Sequence, residues 1–584
     1  MATVASIESI LVVDCGSTIT RVILLDLVDG RYRFIARGET FSTASRSEND
    51  LLIGVRQALQ QIEEVTGRVF LDDDGQLITP ERPEGRGVDA LFAVTNAGRP
   101  LRLILAGLSD QISLASARRA VLSAYSSVEH TLSPEMEAAK KQTSENEISL
   151  IQNANADVIV LTGGIDGGPA GPLTDLAEML TLGCALLDPS SRPQIMYAGN
   201  STMREPIAGI VGSTTELVML DNVRPSLDIE NLEPLSSALN DLYQERQLSL
   251  LPGFNTLRAW ASAPVATSSR AFGYVIKYLA QMWGTDHSVL GVDIGGSITT
   301  AAFVLDNEFS LINRADLGVT HALARVLAQS GVDNVLRWLP FEMDRETVRD
   351  RLLNKQLRSS SLPETTEDLY LEQAVAREAL RLTMSEARSR WQKDNSELCP
   401  EFEVIVGSGG VLAHAPLNGQ VALMLLDAVE PTGITTLWLD STSLAVPVGA
   451  LAAVHPLAAA QVMEGDAFLN LGTIISPTGT GSRPGDVIMR LTITYSDGRS
   501  LDVEIHHGGL EVIPLPLGEE ARLEVRPLKG FDVGSGPGKK RLIKRLVGGM
   551  IGLVVDARGR PLVLPSDSTQ RIEKVKQWYS DIGA

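Results

Sequence analysis

One short pattern occurs twice in the chain and restricts the possible folds more than any other feature. Residues 10–26 read ILVVDCGSTITRVILLD, and residues 289–306 read VLGVDIGGSITTAAFVLD. Each copy is an apolar strand that ends in an aspartate, then a turn of glycine and hydroxyl residues, then a second apolar strand; one inserted glycine aligns the two. Asp14 and Asp293 are 279 residues apart, which is too far for a solenoid repeat. The pattern therefore predicts two related domains that begin with the same hairpin.

Strand signals alternate with helix signals along most of the chain, which predicts an α/β fold. Residues 51–65 have the pattern of a helix, and residues 158–161 are a continuous apolar run typical of a strand buried on both faces. From about residue 465 short strand patterns dominate instead, such as 487–495 and 501–505. We therefore predict two α/β lobes and a separate, mostly β module, with boundaries at 1–198, 199–440 and 464–584.

The charge and the cysteine usage limit the partners and the compartment. The formal charge of −21 argues against a broad nucleic-acid-binding surface, which requires positive potential. The three cysteines, Cys15, Cys184 and Cys399, are far apart in sequence, so neither a zinc site nor a disulfide framework is expected. No signal peptide pattern precedes the first strand, and no run of about 18 apolar residues occurs. We therefore expect a cytoplasmic protein without a nucleic-acid or membrane partner.

The turn in the first copy has the residues that triphosphate binding requires. Glycine lets the backbone approach a phosphate closely, and successive backbone N–H groups in such a turn form a concave anion site. Hydroxyls add donors and an arginine adds positive charge, but the aspartate would repel phosphate unless a cation lies between them. Mg²⁺ meets this need, because it keeps several waters while carboxylates and phosphate oxygens hold it. The candidate ATP-binding residues of this first loop are Asp14, Gly16, Ser17, Thr18, Thr20 and Arg21.

The second loop repeats these residue types. Two such loops facing across a cleft would hold the β- and γ-phosphates from both sides, with Asp14 and Asp293 as the candidate catalytic residues and as Mg²⁺ ligands through water. The alternative is that each loop is only a tight hairpin with an aspartate in its turn. The candidate ATP-binding residues of the second loop are Asp293, Gly295, Gly296, Ser297 and Thr299.

Two further glycine turns are candidates for the cleft. A turn at Gly407, Gly409 and Gly410 follows an apolar strand and would let adenine and ribose lie against bare backbone. Residues 163–168, GGIDGG, either line the cleft or form a mobile loop.

These motifs resemble the phosphate-1, phosphate-2 and adenosine motifs of the actin-like ATPase superfamily, which includes sugar kinases and heat-shock chaperones. The likeness rests on residues 14–18, 293–296 and 407–410, and residues 447–450, PVGA, look like the second connecting helix of that superfamily. The resemblance implies duplicated lobes with a ribonuclease H-like fold. It also implies that a helix over 441–463 returns to the first lobe.

The match is closer to one family, the accessory proteins of adenosylcobalamin-dependent glutamate mutase that are called glutamate mutase L or MutL. Stretches similar to that family lie at 103–122, 157–168, 404–415 and 425–440, and in the C-terminal sequences GFDVGSGPGK and DARGRPLVLP, so the resemblance covers nearly the whole chain. It implies ATP and Mg²⁺ as ligands and a cobalamin-dependent mutase as the partner. The implied role is ATP-dependent care of that enzyme.

One departure from the family pattern bears on hydrolysis. The second loop of the family usually continues Asp-x-Gly-Gly-Ala-Thr-Thr-Asp, whereas here Thr300 replaces the final aspartate and Ile298 replaces one threonine. Because the glycines and Asp293 remain, we expect nucleotide binding to survive and hydrolysis to be slow. Four functions stay open, in this order: an ATPase acting on a partner protein, a non-hydrolysing nucleotide-dependent scaffold, a small-molecule kinase, and a filament-forming actin relative.

Overall fold

The computed structural model describes residues 7–44, 49–135, 144–169, 171–283, 287–391, 398–480 and 482–584. The first six residues, on which part of the expectation about a signal peptide rests, lie outside these ranges. The chain divides into two compact units. The main unit contains Met1–Thr95, Thr256–Leu311 and Asp316–Ala584, and the inserted unit contains Asn96–Asn255 and Ile312–Ala315. The structure therefore differs from the predicted boundary at 198/199, since the strands on either side of it, Gln194–Tyr197 and Leu217–Met219, pair within the inserted unit.

The main unit begins with a four-stranded sheet. Its strands are Ser9–Cys15, Ile19–Val28, Arg31–Phe41 and Ala90–Thr95, arranged in the order third, second, first, fourth. The first two strands form an antiparallel hairpin, and the fourth runs parallel to the first. Helix Leu51–Thr66 packs on this sheet; its amphipathic pattern buries one face, and it begins at Asp50, whose side chain caps it.

A second sheet repeats this arrangement and extends it. Val289–Ile294 and Thr299–Leu305 form the equivalent hairpin, Glu308–Arg314 is the outer strand, and Val404–Ser408 runs parallel to the first strand. Gly433–Leu439 adds one more parallel strand. Because the strands again follow the order third, second, first, fourth, the predicted α/β fold class with two duplicated lobes is confirmed.

The two hairpins match residue for residue. Asp14 pairs with Arg21, and at the equivalent positions Asp293 pairs with Thr300. In each loop the glycine two residues after the aspartate donates its N–H to the carbonyl three residues further on, over 2.9 and 2.8 Å. The alignment expected from the sequence, with one inserted glycine, is therefore wrong. That alignment equated two aspartates of which one lies inside the strand Ile19–Val28 and the other in the turn after Thr299–Leu305.

The stretch predicted as one connecting helix contains two helices, Ala445–Ala452 and Pro456–Val462, because a proline cannot continue the first one. The first of them packs against helix Ser268–Trp283 and against two strands of the four-stranded sheet. Gly449 permits this contact, since a Cβ atom there would lie 1.9 Å from the carbonyl oxygen of Ala271. The chain thus returns to the first sheet after completing the second.

The C-terminal region is mostly β, as predicted, but the expectation that it is separate is wrong. Leu469–Ser476 pairs antiparallel with Gly433–Leu439 on one side and parallel with Gly552–Asp556 on the other. Leu510–Ile513 pairs with Gly552–Asp556 and forms the edge of the sheet. Three C-terminal strands therefore complete an eight-stranded sheet that starts in the second lobe. Long-range pairing of this kind leaves no mark in the local composition on which the prediction rested.

The other elements of the main unit surround these two sheets. Val487–Tyr495, Ser500–His506, Glu520–Pro527 and Arg541–Val547 form a second four-stranded sheet, and Thr478–Gly479 pairs with Phe531–Asp532. The remaining helices are Leu323–Ser330, Val332–Leu336, Arg345–Leu357, Thr366–Trp391, Gly410–Ala413, Asn418–Val429 and Ser568–Asp581. Among the helices that the structure describes, we find no candidate for a membrane span.

A buried ion-pair network ties the C-terminal region to the second lobe. The carboxylate of Asp427, on helix Asn418–Val429, accepts from Arg377 at 2.8 Å on one side and from Arg558 at 2.8 Å on the other. Arg558 also donates to Asp556 at 2.8 Å, and Arg560 donates to the same carboxylate at 2.6 Å. The flanking guanidinium groups hold the pKa of Asp556 well below its usual range.

The inserted unit contains a five-stranded parallel sheet. Its strands are Leu101–Gly107, Ser126–Leu132, Val158–Thr162, Gln194–Tyr197 and Leu217–Met219, in the order second, first, third, fourth, fifth. Its helices are Ser113–Val121, Ser144–Asn153, Gly171–Ala185, Arg204–Val211 and Glu233–Tyr243, and Phe254–Trp260 leads back to the main unit in sequence. Residues 163–168 follow the central strand and are tied down by buried Asn200, which accepts from the Gly167 N–H and donates to the Gly168 carbonyl.

We predict that Asp427→Asn destabilises the protein by about 3–5 kcal/mol, because the change leaves two buried guanidinium groups without a full counter-charge. Urea unfolding followed by tryptophan fluorescence measures this loss. Glu504→Gln is the matched control, because its partner Arg490 and its own carboxylate are more than half exposed and such surface pairs contribute about 0–1 kcal/mol. Equal stability of the two variants would contradict the assigned role of the network.

Candidate functional site

Three aspartates lie at the carboxyl ends of strands in the main unit. Asp14 is the last residue but one of strand Ser9–Cys15, and Asp293 is the last residue but one of strand Val289–Ile294. Asp440 directly follows strand Gly433–Leu439. The strands that carry Asp293 and Asp440 are both parallel to Val404–Ser408, which lies between them. The carboxyl ends of parallel strands form one edge of a sheet, which is where ligands bind in α/β proteins.

Asp440 is a member of this group that the sequence interpretation missed. Its side chain is completely buried, accepts from the Ser408 hydroxyl at 2.9 Å, and accepts from the backbone N–H groups of Leu444 and Ala445 at 2.7 and 3.1 Å. It therefore fixes the start of the helix that returns to the first sheet. The signal in the sequence was the same as for the other two, an aspartate at the end of an apolar strand.

Burial raises the pKa values of all three carboxylates. Burial raises the pKa of Asp14 to about 6, although the Arg21 guanidinium, 3.9 Å away, and a hydrogen bond from Ser268 oppose this. Burial raises the pKa of Asp293 to about 7, and the charges of Asp440 and Asp14 raise it further. Burial also raises the pKa of Asp440. The site therefore has more negative charge than its own cation balances.

A hydrated divalent cation fits this donor set. Within the described ranges, no three His, Cys, Asp or Glu side chains are placed to coordinate one ion directly. Mg²⁺ does not require such a cage, since it is commonly held by one or two carboxylates, by waters and by phosphate oxygens. That Asp14 and Asp293 hold Mg²⁺ through water stays a prediction.

The structure brings the two predicted loops together. A Cβ atom on Gly296 would lie 2.2 Å from Thr18 Oγ1 and 2.5 Å from Thr320 Oγ1, so only glycine allows this approach. The two threonine hydroxyls are themselves 3.2 Å apart. The backbone N–H groups of residues 319–321 donate to the carbonyls of Gly295 and Gly296, which holds the second loop in place.

The predicted hydroxyl donors differ in exposure. Ser17, Thr18 and Ser297 are partly exposed at the loops, whereas Thr20 and Thr299 are completely buried beneath them. Thr299 donates to the carbonyl of Leu317 at 2.9 Å and so supports the loop rather than a ligand. Arg21 is paired with Glu39 at 2.7 Å, which leaves its charge shared between that carboxylate and Asp14.

The predicted adenosine turn lies beside the second loop. Gly409 has a φ of 99° and begins a short helix that continues with Gly410. A Cβ atom on Gly409 would lie 2.2 Å from the carbonyl oxygen of Ile294, so the turn requires glycine at this position. Gly407 faces inward toward Leu412. That this turn takes adenine and ribose stays a prediction.

A cavity of about 340 Å³ opens beside the first loop. Its lining is polar and carries no carboxylate, although the chain as a whole has 72 acidic and 51 basic residues. The lining residues are Ser17, Thr18, Ser42, His321, Gln356, Leu357, Arg358, Ser359 and Ser360.

Comparison with known proteins assigns the family. The sequence model of the MutL protein family matches residues 10–467, which is more than half of the 584 residues. The chain belongs to the MutL protein family. One relative, protein MutL of Clostridium tetanomorphum, is 22% identical over 505 residues, which cover 78% of this chain and 98% of the relative. The family resemblance inferred from the sequence is thereby confirmed over residues 10–467.

Two solved structures resemble this family member distantly. A nucleotide-free acetone carboxylase is 13% identical, with a TM-score of 0.31 and coverage of 85% of this chain and 81% of its own. Component A of the (R)-2-hydroxyglutaryl-CoA dehydratase of Acidaminococcus fermentans is 10% identical, with a TM-score of 0.25 and coverage of 77% and 99%. Likenesses with TM-scores this low decide nothing about the site.

We predict that Asp293→Asn stabilises the metal-free protein at pH 8 and that the gain shrinks toward pH 5. The pKa of Asp293 is about 7 in the folded protein against 3.8 for an unperturbed carboxyl, so its ionised form opposes folding. The free-energy penalty is largest above pH 7. It falls between pH 7 and pH 4, where the Asp293 carboxyl takes up a proton when the chain folds. The expected gain at pH 8 is roughly 2–4 kcal/mol.

Thermal unfolding in EDTA at pH 8 and pH 5 measures this difference, with the exposed Asp73→Asn as the control. An Asp293→Asn protein that is no more stable than wild type at pH 8 would refute the electrostatic description of the site.

Proposed function

We propose that this protein binds Mg²⁺·ATP in the main unit and serves as an accessory protein that assists an adenosylcobalamin-dependent mutase such as glutamate mutase. The observation that carries the nucleotide assignment is the pair of equivalent glycine loops next to three carboxylates. Arg21 balances the negative charge of these carboxylates only in part, because it is also paired with Glu39. Membership of the MutL family supports the accessory role. The partner is inferred from the family resemblance alone.

The residues have distinct tasks in this proposal. Asp14 and Asp293 hold Mg²⁺ through water, and the cation supplies positive charge against the phosphates. Backbone N–H groups of the two loops face the β- and γ-phosphates, together with the hydroxyls of Ser17, Thr18 and Ser297. The turn at residues 407–410 borders the adenosine. A protein with this arrangement would change its affinity for a partner between its ATP and ADP states.

Thr300 favours a second candidate, a nucleotide-dependent scaffold that hydrolyses ATP slowly or not at all. It is the cross-strand partner of Asp293 and is completely buried. Side chains of directly paired residues lie on the same face of a sheet, so the Thr300 hydroxyl lies beside Asp293. The family usually has an aspartate at this position. A hydroxyl cannot balance Mg²⁺ or take up a proton at neutral pH.

The expected effect of Asp14→Ala is a roughly 10–100-fold loss of Mg²⁺·ATP affinity, because phosphate loses its bridging cation. In EDTA the variant should bind ATP no more weakly than wild type, because it lacks a carboxylate that repels phosphate when no cation is present. Calorimetry with Mg²⁺ and with EDTA measures both, and Asp73→Ala serves as the exposed control. Wild-type affinity that is the same with Mg²⁺ as with EDTA would rule out the assignment.

Thr300→Asp should raise ATP turnover by about 10²–10³-fold, the usual contribution of one correctly placed polar group. ATP affinity should change little, and metal-free stability should fall because a fourth carboxylate joins the three. Thr300→Asn is the matched neutral control and should not raise turnover. Single-turnover measurements on the three proteins decide the matter; fast wild-type hydrolysis without a gain in Thr300→Asp would show that Asp14 and Asp293 suffice.

A further inference from the structure

We propose that the cavity beside the first loop binds an oxyanion, the phosphate or carboxylate group of a small molecule other than the nucleotide. This inference goes beyond the proposed nucleotide function and does not depend on it. The groups that would hold the oxyanion are the guanidinium of Arg358 and the hydroxyls of Ser359, Ser360 and Ser17, all of which belong to residues that line the cavity.

The charge of the cavity lining is positive. Arg358 is a cation, and no carboxylate is present among the lining residues. The chain as a whole has 72 acidic and 51 basic residues and a formal charge of −21, which is unfavourable to anions in general. A concave surface with one sign of charge concentrates ions of the opposite sign. The cavity is therefore a place where this acidic chain attracts an anion.

The side chain of Arg358 is available to a ligand. It is exposed, and it has neither an ion pair nor a hydrogen bond with any residue that the structure describes. By contrast Lys355, one turn earlier, is paired with Glu372 at 2.9 Å. The planar guanidinium donates paired N–H groups that match the oxygens of a carboxylate or a phosphate. Arg358 thus supplies both the charge and the geometry that an oxyanion requires.

The hydroxyls of the lining are available as further donors. Ser17, Ser359 and Ser360 are each partly exposed, and their hydroxyl groups form no hydrogen bond with the residues that the structure describes. A hydroxyl can turn its proton toward whichever acceptor is present. An oxyanion that contacts Arg358 therefore finds donors from the same turn of chain and from the first loop.

The dimensions and the nearby helix are compatible with this use. The volume of about 340 Å³ is at the lower end of the range of about 300–1,000 Å³ that is usual for small-molecule pockets. Helix Arg345–Leu357 ends at the cavity, and the last turn of a helix carries about half a negative charge. The full positive charge of Arg358 outweighs that partial charge. A small anion is thus favoured over a cation.

The nucleotide is the competing occupant. Ser17 and Thr18 belong to the first loop as well as to the cavity, so a terminal phosphate placed there would also touch the lining. Arg358 and the two serines after it lie outside both hairpin loops, since they follow helix Arg345–Leu357. If the cavity held the γ-phosphate, loss of Arg358 would weaken ATP binding. If it holds a separate anion, loss of Arg358 leaves ATP binding nearly unchanged.

The test measures binding of inorganic phosphate and of succinate to the full chain by calorimetry. We expect Arg358→Gln to weaken binding of at least one of these anions by about 10–100-fold, the usual effect of losing charged hydrogen bonds. Arg358→Lys should weaken it less, because the charge remains without the paired donors. Arg349→Gln is the matched control, because Arg349 is exposed on the same helix but does not line the cavity, and it should bind as wild type does.

Each titration is repeated with Mg²⁺ and a saturating non-hydrolysable ATP analogue, and the anion should still bind. Arg358→Gln should bind ATP within about threefold of wild type. Binding of phosphate alone identifies a phosphate group as the ligand, and binding of succinate alone identifies a carboxylate.

Equal anion binding in wild type and Arg358→Gln, or binding of neither anion at millimolar concentrations, would overturn the inference. Displacement of the anion by the analogue together with weaker ATP binding in Arg358→Gln would also overturn it, because the cavity would then be the γ-phosphate site. Wild type that binds no ATP but binds an anion through Arg358 would refute the proposed function and support the inference.

Discussion

The burial of three carboxylates, those of Asp14, Asp293 and Asp440, is the constraint on which the functional site depends, and repulsion from Asp440 adds to the effect of burial at Asp14 and Asp293. Asp293 and Asp440 lie at one edge of the eight-stranded sheet, whereas Asp14 lies near the end of a strand of the four-stranded sheet. Arg21 is the nearest cation, but it is shared with Glu39. The folded chain therefore retains an electrostatic penalty that a divalent cation relieves. We regard this penalty as the reason why the site would bind phosphate only together with Mg²⁺.

The rest of the main unit maintains this arrangement against its own repulsion. The eight-stranded sheet fixes Asp293 and Asp440, the helix after Asp440 joins the second sheet to the first, and the C-terminal strands extend the sheet on its far side. The ion pairs around Asp427 fasten the C-terminal residues to the helices of the second lobe. Residues 464–584 are thus part of the framework that holds the site and not an appendage to it.

The sequence was most informative where structure is local. The two hairpins, the helix Leu51–Thr66 and the strand Val158–Thr162 are each defined by a short periodic pattern, and they form as predicted. Asp440 was missed because the contact that places it in the site comes from Ser408, 32 residues away in sequence. Pro456 divides the predicted connecting helix, because a proline cannot continue the preceding helix and instead begins the next one.

Proton release on nucleotide binding tests the central electrostatic claim most directly. Calorimetry of Mg²⁺·ATP binding at pH 6.5, in buffers with different ionisation enthalpies, measures the number of protons lost. Because the pKa of Asp293 is about 7 and that of Asp14 about 6, and because a bound cation would lower both, we predict release of about one proton. The release should nearly vanish at pH 8.5 and should fall in Asp293→Asn at pH 6.5. Binding of Mg²⁺·ATP at pH 6.5 without any proton release would contradict the account.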